Sequence, residues 1–437
     1  MQKKSANFGF RGWMLLIYQA IAFFTFTVFT NFPMNILADL YGGAQKISTI
    51  YTIATFVGIV VQLVLSRYIG RMKSVKALGA AFGGISLVLA LGIMLIPMSQ
   101  PVFWQICYFL ETLFVTMYAT FALGILVGHW FPRRKGTVMG IATFAFPITN
   151  GVIGLFAARV FSKGYPDVFG AFLPFFIIAL VGLLIGLIFV KDYPEQCGAY
   201  RDNDRSFTPE AAQAMLAQEI ENKKTSVWTL GNTLKSRDFW FVTVPMGALL
   251  MCSVGMMTQT SAILGTYAEL PFATVMAGSC VVACFGSWLL GVLDTKLGTR
   301  TAIIISVIVM IVGGVLGAIH GAGWLLASFV CLSIFEGAAS NFTVSAAAQY
   351  WRREDFSRVF ATASPIGNII CSSGPMLIAM LMYSAGGYRT IFITTAIVGV
   401  ISLILLLLFK PSHVKEVDDK YRKAAGKTLD DSLVGRK

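Results

Sequence analysis

A chain of 437 residues that is 56% hydrophobic and 13% charged has about half the charged fraction of an average soluble protein, too little to face water all round. Its formal charge of +13 would suggest a nucleic-acid partner in a soluble protein. Here the basic residues sit between long apolar runs, where positive charge fixes orientation in a membrane, so no nucleic-acid partner is expected. The seven cysteines are scattered and six of them lie in apolar runs, where Cys behaves as a small hydrophobe; neither a disulfide framework nor a metal site is expected.

A helix needs about 20 apolar residues to cross the hydrocarbon core, and runs of that kind predict twelve spans. The first six cover 13–38, 47–66, 77–97, 102–129, 137–161 and 169–190; the last six cover 239–262, 270–292, 301–320, 324–350, 360–384 and 390–409. The apolar run behind the N-terminal segment is too long for a signal-peptide core, so the first span is expected to be retained. Thr208-Pro209-Glu210 carries a helix-start signal and predicts a short helix reaching Asn222. The predicted fold is therefore an all-α membrane protein of two six-helix bundles, 1–190 and 238–410. A cytoplasmic linker, 191–237, joins them, and a cytoplasmic tail, 411–437, follows.

Lys and Arg mark the cytoplasmic side. They cluster at Lys3, Lys4 and Arg11, at Arg67, Arg71, Lys73 and Lys76, at Arg133, Arg134 and Lys135, at Lys296 and Arg300, and at Arg352, Arg353 and Arg358. The odd-numbered connections hold only Lys46, Lys163 and Arg389. Both termini are thus expected in the cytoplasm, with the protein in the inner (plasma) membrane.

The halves share motifs six spans apart. Ala142-Thr143 with Pro147-Ile148-Thr149-Asn150 in span five matches Ala361-Thr362 with Pro365-Ile366-Gly367-Asn368 in span eleven. Gly79 and Gly83 in span three correspond to Gly313 and Gly317 in span nine, and Trp130 before Pro132-Arg133-Arg134 corresponds to Trp351 before Arg352-Arg353. Two such repeats can rock against each other around a central site, and mid-helix Pro147, Pro365 and Pro375 permit bending.

The segment His129-Trp130-Phe131-Pro132-Arg133-Arg134-Lys135-Gly136, followed by Met139-Gly140, resembles a loop of the oxalate/formate antiporter and monocarboxylate transporter groups within the major facilitator superfamily. Asp192-Tyr193-Pro194-Glu195-Gln196-Cys197-Gly198 is similar to a stretch of the former group, and Asp294-Thr295-Lys296-Leu297-Gly298 to the superfamily's loop motif. The resemblance implies the major facilitator fold and secondary transport of a small organic acid. For a dianion it also implies basic residues in spans eight and eleven, yet 270–292 and 360–384 contain no Lys, Arg or His. The position of the motif's Asp in the first half is Arg67.

Ionisable residues at membrane depth are costly and mark function by default. Two carboxylates lie deep, Glu111 in span four and Glu336 in span ten. Burial disfavours a carboxylate's charge, so each could load and release a proton or pair with a cationic solute. Trp104, Tyr108 and Tyr118 share a helical face with Glu111 and would form an aromatic wall; Ser340 and Thr343 share one with Glu336. Gln19, Asn31, Asn150, Gln259, Asn341 and Asn368 are further candidates for the cavity. Arg159 in span five snorkels towards the outer headgroups and is a candidate anion contact. Asp294, Arg352 and Arg358 are candidates for a cytoplasmic gate.

No nucleotide fingerprint, catalytic triad or metal-ligand cluster is present in the sequence, so neither enzyme activity nor a cofactor is expected. The expectation is a monomeric, ion-gradient-driven carrier whose partners are the lipid bilayer, a small organic solute and protons. A monocarboxylate-like acid moved with protons fits best. Organic anion antiport, a cationic or neutral solute, and a receptor that binds its solute without moving it remain alternatives.

Overall fold

The computed structural model describes residues 8–69, 74–120, 126–131, 138, 144–204, 208, 210, 214, 226–267, 269–351 and 353–427. Among the described residues, ten helices are long and apolar enough to cross a membrane, and two shorter apolar stretches, Ala145–Val160 and Ala322–Glu336, fall where the other two spans are expected. The first half holds α1 (Gly9–Phe32), α2 (Ala44–Ile69), α3 (Val75–Leu95), α4 (Pro101–Thr120), α5 (in two pieces, Ala145–Gly151 and Ile153–Val160) and α6 (Val168–Phe189). The second holds α7 (Arg237–Thr258), α8 (Phe272–Leu297), α9 (Thr299–Ala318), α10 (Ala322–Tyr350), α11 (Arg353–Ser372, then Gly374–Met382) and α12 (Tyr388–Leu408). A further helix, α13 (Pro411–Ala424), follows. The start of α1, the end of α12 and the helix ends flanking the even-numbered connections share one side, here the terminal face; the other is the far face.

The repeat seen in the sequence extends to where helices break. α1 passes into a π-helical turn at Pro33–Leu37, and α7 breaks at Gln259 before the short helix Thr260–Leu264. α5 breaks at Val152, between its two pieces, and α11 at Ser373. The breaks therefore pair α1 with α7 and α5 with α11. Basic caps pair in the same way. Lys76 Nζ at the start of α3 donates to the Leu187 carbonyl near the end of α6 at 2.7 Å, and Arg300 Nη2 in α9 donates to the Leu407 carbonyl of α12 at 3.1 Å. A cation there satisfies a carbonyl that the helix end leaves open.

The small-residue motifs also act alike. A Cβ on Gly83 would strike the Tyr118 ring, one on Gly313 would strike Leu332, and one on Gly317 would strike the Phe392 ring. Close helix approach of this kind, rather than hydrophobicity, holds helices together where the surrounding lipid is itself apolar. Large apolar side chains such as Val88, Ile177, Val315 and Ile397 point outwards, as lipid requires.

The linker divides between the halves. Its first part docks on the first half, where the two loop motifs meet. Asp192 accepts from Ser74 Oγ at 2.6 Å and from the Lys76 backbone N–H at 2.8 Å, capping α3. Trp130 Nε1 donates to the Lys191 carbonyl at 2.9 Å, and the His129 ring stacks on Tyr193. Its second part docks on the second half. Ser226 Oγ bonds Asp355 at the start of α11, and buried Trp228 donates to Asp418 of α13 at 2.9 Å. Val414, Asp418 and Arg422 of α13 are buried; residues 428–437 lie outside the described residues. The helix expected over 208–222 lies outside the described residues but for Thr208, Glu210 and Ala214.

Candidate functional site

The site is built where the two halves touch. α5 lies along α8, and α2 lies along α11. A Cβ on Gly151 would stand 2.6 Å from the Cys280 Cβ, and one on Gly154 would stand 2.6 Å from the Ala273 Cβ. Carbon atoms rest at about 3.5–4.0 Å, so only glycine permits this approach. Nearer the far face, Gln259 Nε2 donates to Ser48 Oγ at 3.2 Å, and Ser261 Oγ donates to the Asn35 carbonyl at 3.1 Å. Asn35, Gln259 and Ser261 sit at or beside the breaks in α1 and α7, and Ser48 lies near the start of α2. The halves are therefore closed against each other from mid-depth to the far face.

Glu336 stands at the inner end of this seam. It is the central residue of the 29-residue α10 and is 4% exposed. Asn150 Nδ2, one residue before Gly151, donates to its Oε1 at 3.2 Å across the two halves. Two sequence candidates from opposite halves thus meet.

Behind Glu336 a small cavity opens into the second half, among α7, α9, α10 and α12. It offers about 20 Å³ to the centre of a water-sized sphere, and its walls include Met256, Met310, Phe329, Ser333, Glu336 and Thr395. Sulfur, aromatic and aliphatic groups dominate the wall. Thr395 Oγ1 is turned to Met256 Sδ, whereas buried Ser333 Oγ has no hydrogen-bond partner among the described residues.

Glu111 is fully buried inside the first half and accepts from Ser86 Oγ of α3 at 2.8 Å. Its aromatic neighbours are likewise packed within that half. Trp104 stacks on Tyr41 at 4.1 Å and donates from Nε1 to the Ile93 carbonyl. Tyr108 donates to the Thr30 carbonyl at 2.9 Å, and Tyr118 meets Tyr18 edge-on.

Of the other candidates, Gln19 and Asn31 are buried in α1, and Asn368 is half-buried in α11. Arg159 is exposed at the far-face end of α5, away from the buried seam. Arg358 Nη1 reaches the Ser226 carbonyl at 3.4 Å, so its described role is to hold the linker. Arg352 lies outside the described residues, as do the side chains of Asp294, Ser340, Asn341 and Thr343. Sequence reasoning missed Ser48, Asn35, Ser261 and Ser333. Only Ser333 left a signal, since it lies three residues before Glu336 and so shares its helical face.

The sequence matches the family profile described as "Major Facilitator Superfamily" over residues 14–315 and 262–434. No curated protein sequence matches the chain significantly. Among solved structures, the human organic anion transporter MFSD10 (TETRAN) aligns with a TM-score of 0.65 at 12% identity, covering 90% of this chain and 97% of that one. The E. coli fucose:proton symporter FucP aligns with a TM-score of 0.61 at 12% identity, covering 91% and 97% respectively.

Proposed function

The chain belongs to the Major Facilitator Superfamily, and from that premise we propose that it is a secondary active transporter carrying a small, monocarboxylate-like organic acid together with protons. The observation that carries this reading is the Asn150–Glu336 hydrogen bond. It joins the two halves at mid-depth through an acid whose charge is costly there. Glu336 must be neutralised, by a proton or by a cationic group, whenever it is shut away from water. Parting α5 from α10 removes its amide partner and so ties its protonation to the position of the halves. In this reading the terminal face is cytoplasmic and the membrane is the inner (plasma) membrane, as the Lys and Arg distribution suggests. The seam then closes the outer side.

A further observation favours acid-plus-proton over dianion exchange. Among the described side chains, the only buried basic residue is Arg422, in α13 and outside the crossings. A dianion at mid-depth would need cationic partners, whereas an acid crossing with its proton needs none. Glu111, held by Ser86 within one half, has no part in this coupling.

The test is reconstitution in liposomes with a trapped pH-sensitive dye and a panel of lactate, pyruvate, formate, oxalate, amino acids and organic cations. Proton flux driven by monocarboxylates and lost in Glu336→Gln is the expected result. Exchange of preloaded solute without proton flux would replace the reading with antiport. Proton flux that survives Glu336→Gln would remove this residue from coupling.

A further inference from the structure

The cavity behind Glu336 has two properties that do not belong to a simple packing flaw. Its space of about 20 Å³ for a sphere centre exceeds the roughly 10–15 Å³ that one water requires. It also carries a hydroxyl, Ser333 Oγ, that is fully buried and without a hydrogen-bond partner among the described residues. Cavities that stay dry are apolar; a polar one of this size takes a water when two or more polar groups can hold it. Ser333 and Glu336 are three residues apart on α10 and therefore share a face, and both line the cavity. Thr395 Oγ1 and Thr260 Oγ1 donate to Met256 Sδ and to the Met256 carbonyl, so their oxygens remain able to accept.

We propose that this cavity binds one water held between Ser333 Oγ and the Glu336 carboxyl, and that this water becomes the acid's partner when Asn150 withdraws. The idea rests on the transport reading for its purpose, though not for its existence. Asn150 belongs to the first half and Ser333 to the second. When the halves part at the seam, Glu336 loses the amide, and a buried acceptor left unpaired disfavours a state by roughly 5- to 150-fold. A water carried on the Glu336 side of the seam travels with the acid and removes that penalty. The second half thereby keeps its acid satisfied in either arrangement. The cavity's small size fits this role, since it holds a water but not an organic solute.

The experiment is a double-mutant cycle on solute-driven proton flux in proteoliposomes, with Asn150→Ala, Ser333→Ala and the pair. Because Asn150 serves only the closed arrangement while the water serves both, Ser333→Ala should slow flux by roughly 5- to 150-fold and Asn150→Ala by less than about tenfold, while the pair, which removes partners from both arrangements, slows it by less than the product of the two. Multiplicative effects would overturn the proposal. An infrared readout separates positioning from packing. The Glu336 carboxyl stretch, identified by its loss in Glu336→Gln, should shift in Ser333→Ala, and an unmoved band counts against the water. A map of the unmodified protein that resolves ordered waters decides independently of transport. Density within hydrogen-bonding distance of both Ser333 Oγ and a Glu336 oxygen supports the proposal even where no solute drives flux. A cavity filled by side chain, or density ringed by five or more oxygens as for a metal cation, refutes it.

Discussion

The seam between α5 and α8 can be loaded selectively by adding one methyl group. In Gly154→Ala the new Cβ would stand 2.6 Å from the Ala273 Cβ and 2.8 Å from the Ala273 Cα. Carbon contacts settle at about 3.5–4.0 Å, so the two helices must separate by about 1 Å. Overpacking of this size costs about 1–3 kcal/mol. Because Gly154 and Ala273 belong to different halves, the cost falls only on the arrangement closed at the far face. Its population relative to the open arrangement should fall by roughly 5- to 150-fold. Ser48→Cys reports on whether the halves part as a unit, since Ser48 of α2 is fully buried where it meets Gln259 at the end of α7, nearer the far face. In proteoliposomes or cells with the far face outside, a membrane-impermeant maleimide should label Ser48→Cys slowly. Adding Gly154→Ala should raise the rate by the same 5- to 150-fold. The native cysteines are buried or half-buried, and the chain without Ser48→Cys gives their background. Gly84→Ala, where a Cβ meets nothing within 4 Å, should leave the rate unchanged. Unaltered labelling in a folded Gly154→Ala variant would refute the idea that this seam opens as a unit.

Three further outcomes follow from named contacts. Glu336→Gln should abolish solute-driven proton flux, while Glu111→Gln, whose amide still offers Ser86 Oγ an acceptor, should keep it within about threefold, as a weak neutral bond implies; equal loss in both would return Glu111 to the coupling machinery. Asp418→Ala takes the acceptor from Trp228 Nε1 and the carboxylate from Arg422 Nε, 3.2 Å away. Breaking a buried pair costs about 3 kcal/mol or more, so amide hydrogen exchange across 411–424 should accelerate, and unchanged exchange would show that α13 is held by its apolar face alone. On the far face, Asp167 caps α6 through the Gly170 N–H at 2.9 Å, and the Lys163 ammonium bonded to it, with that N–H, holds its carboxyl below the usual range. A depressed folded value means that the stabilisation is present above the unfolded value near 3.9 and disappears as pH falls through the folded one. Asp167→Ala should therefore lower stability by about 1 kcal/mol at neutral pH and flatten the acid limb of a plot of Tm against pH in detergent; parallel curves would mean the cap contributes nothing.

Much of the architecture was legible because lipid imposes a simple rule. A crossing must be a long apolar helix, and both the spans and the two halves follow from that. The repeat was legible too, since Pro147 with Asn150 and Pro365 with Asn368 survive as local words. The helix breaks were legible only in part: those in α1 and α11 carry Pro33 and Pro375, whereas those in α7 and α5 carry no proline. Neither Gln259 nor Val152 is preceded by a proline within three residues, and the break in α5 sits instead beside Gly151, where α8 comes closest. Such a break is a product of packing between halves, which no local pattern encodes.

The different surroundings of Glu111 and Glu336 have a similar origin in helical register. Glu111 lies 19 residues before Trp130, whereas Glu336 lies 15 before Trp351. The difference of four residues is about 6 Å along the helix and about 40° around it. Counted from the shared Trp, Glu336 corresponds to Val115, and Glu111 corresponds to Leu332. Leu332 packs against Gly313 of α9, just as Glu111 reaches Ser86 of α3. One turn nearer the terminal face, Glu336 instead meets Asn150 of the other half. Two acids at similar depth on matching helices therefore have different neighbours: one binds its own bundle together, and the other faces the surface along which the bundles meet. Depth alone suggested equivalence, but the angle around the helix decides which acid can sense the position of the halves.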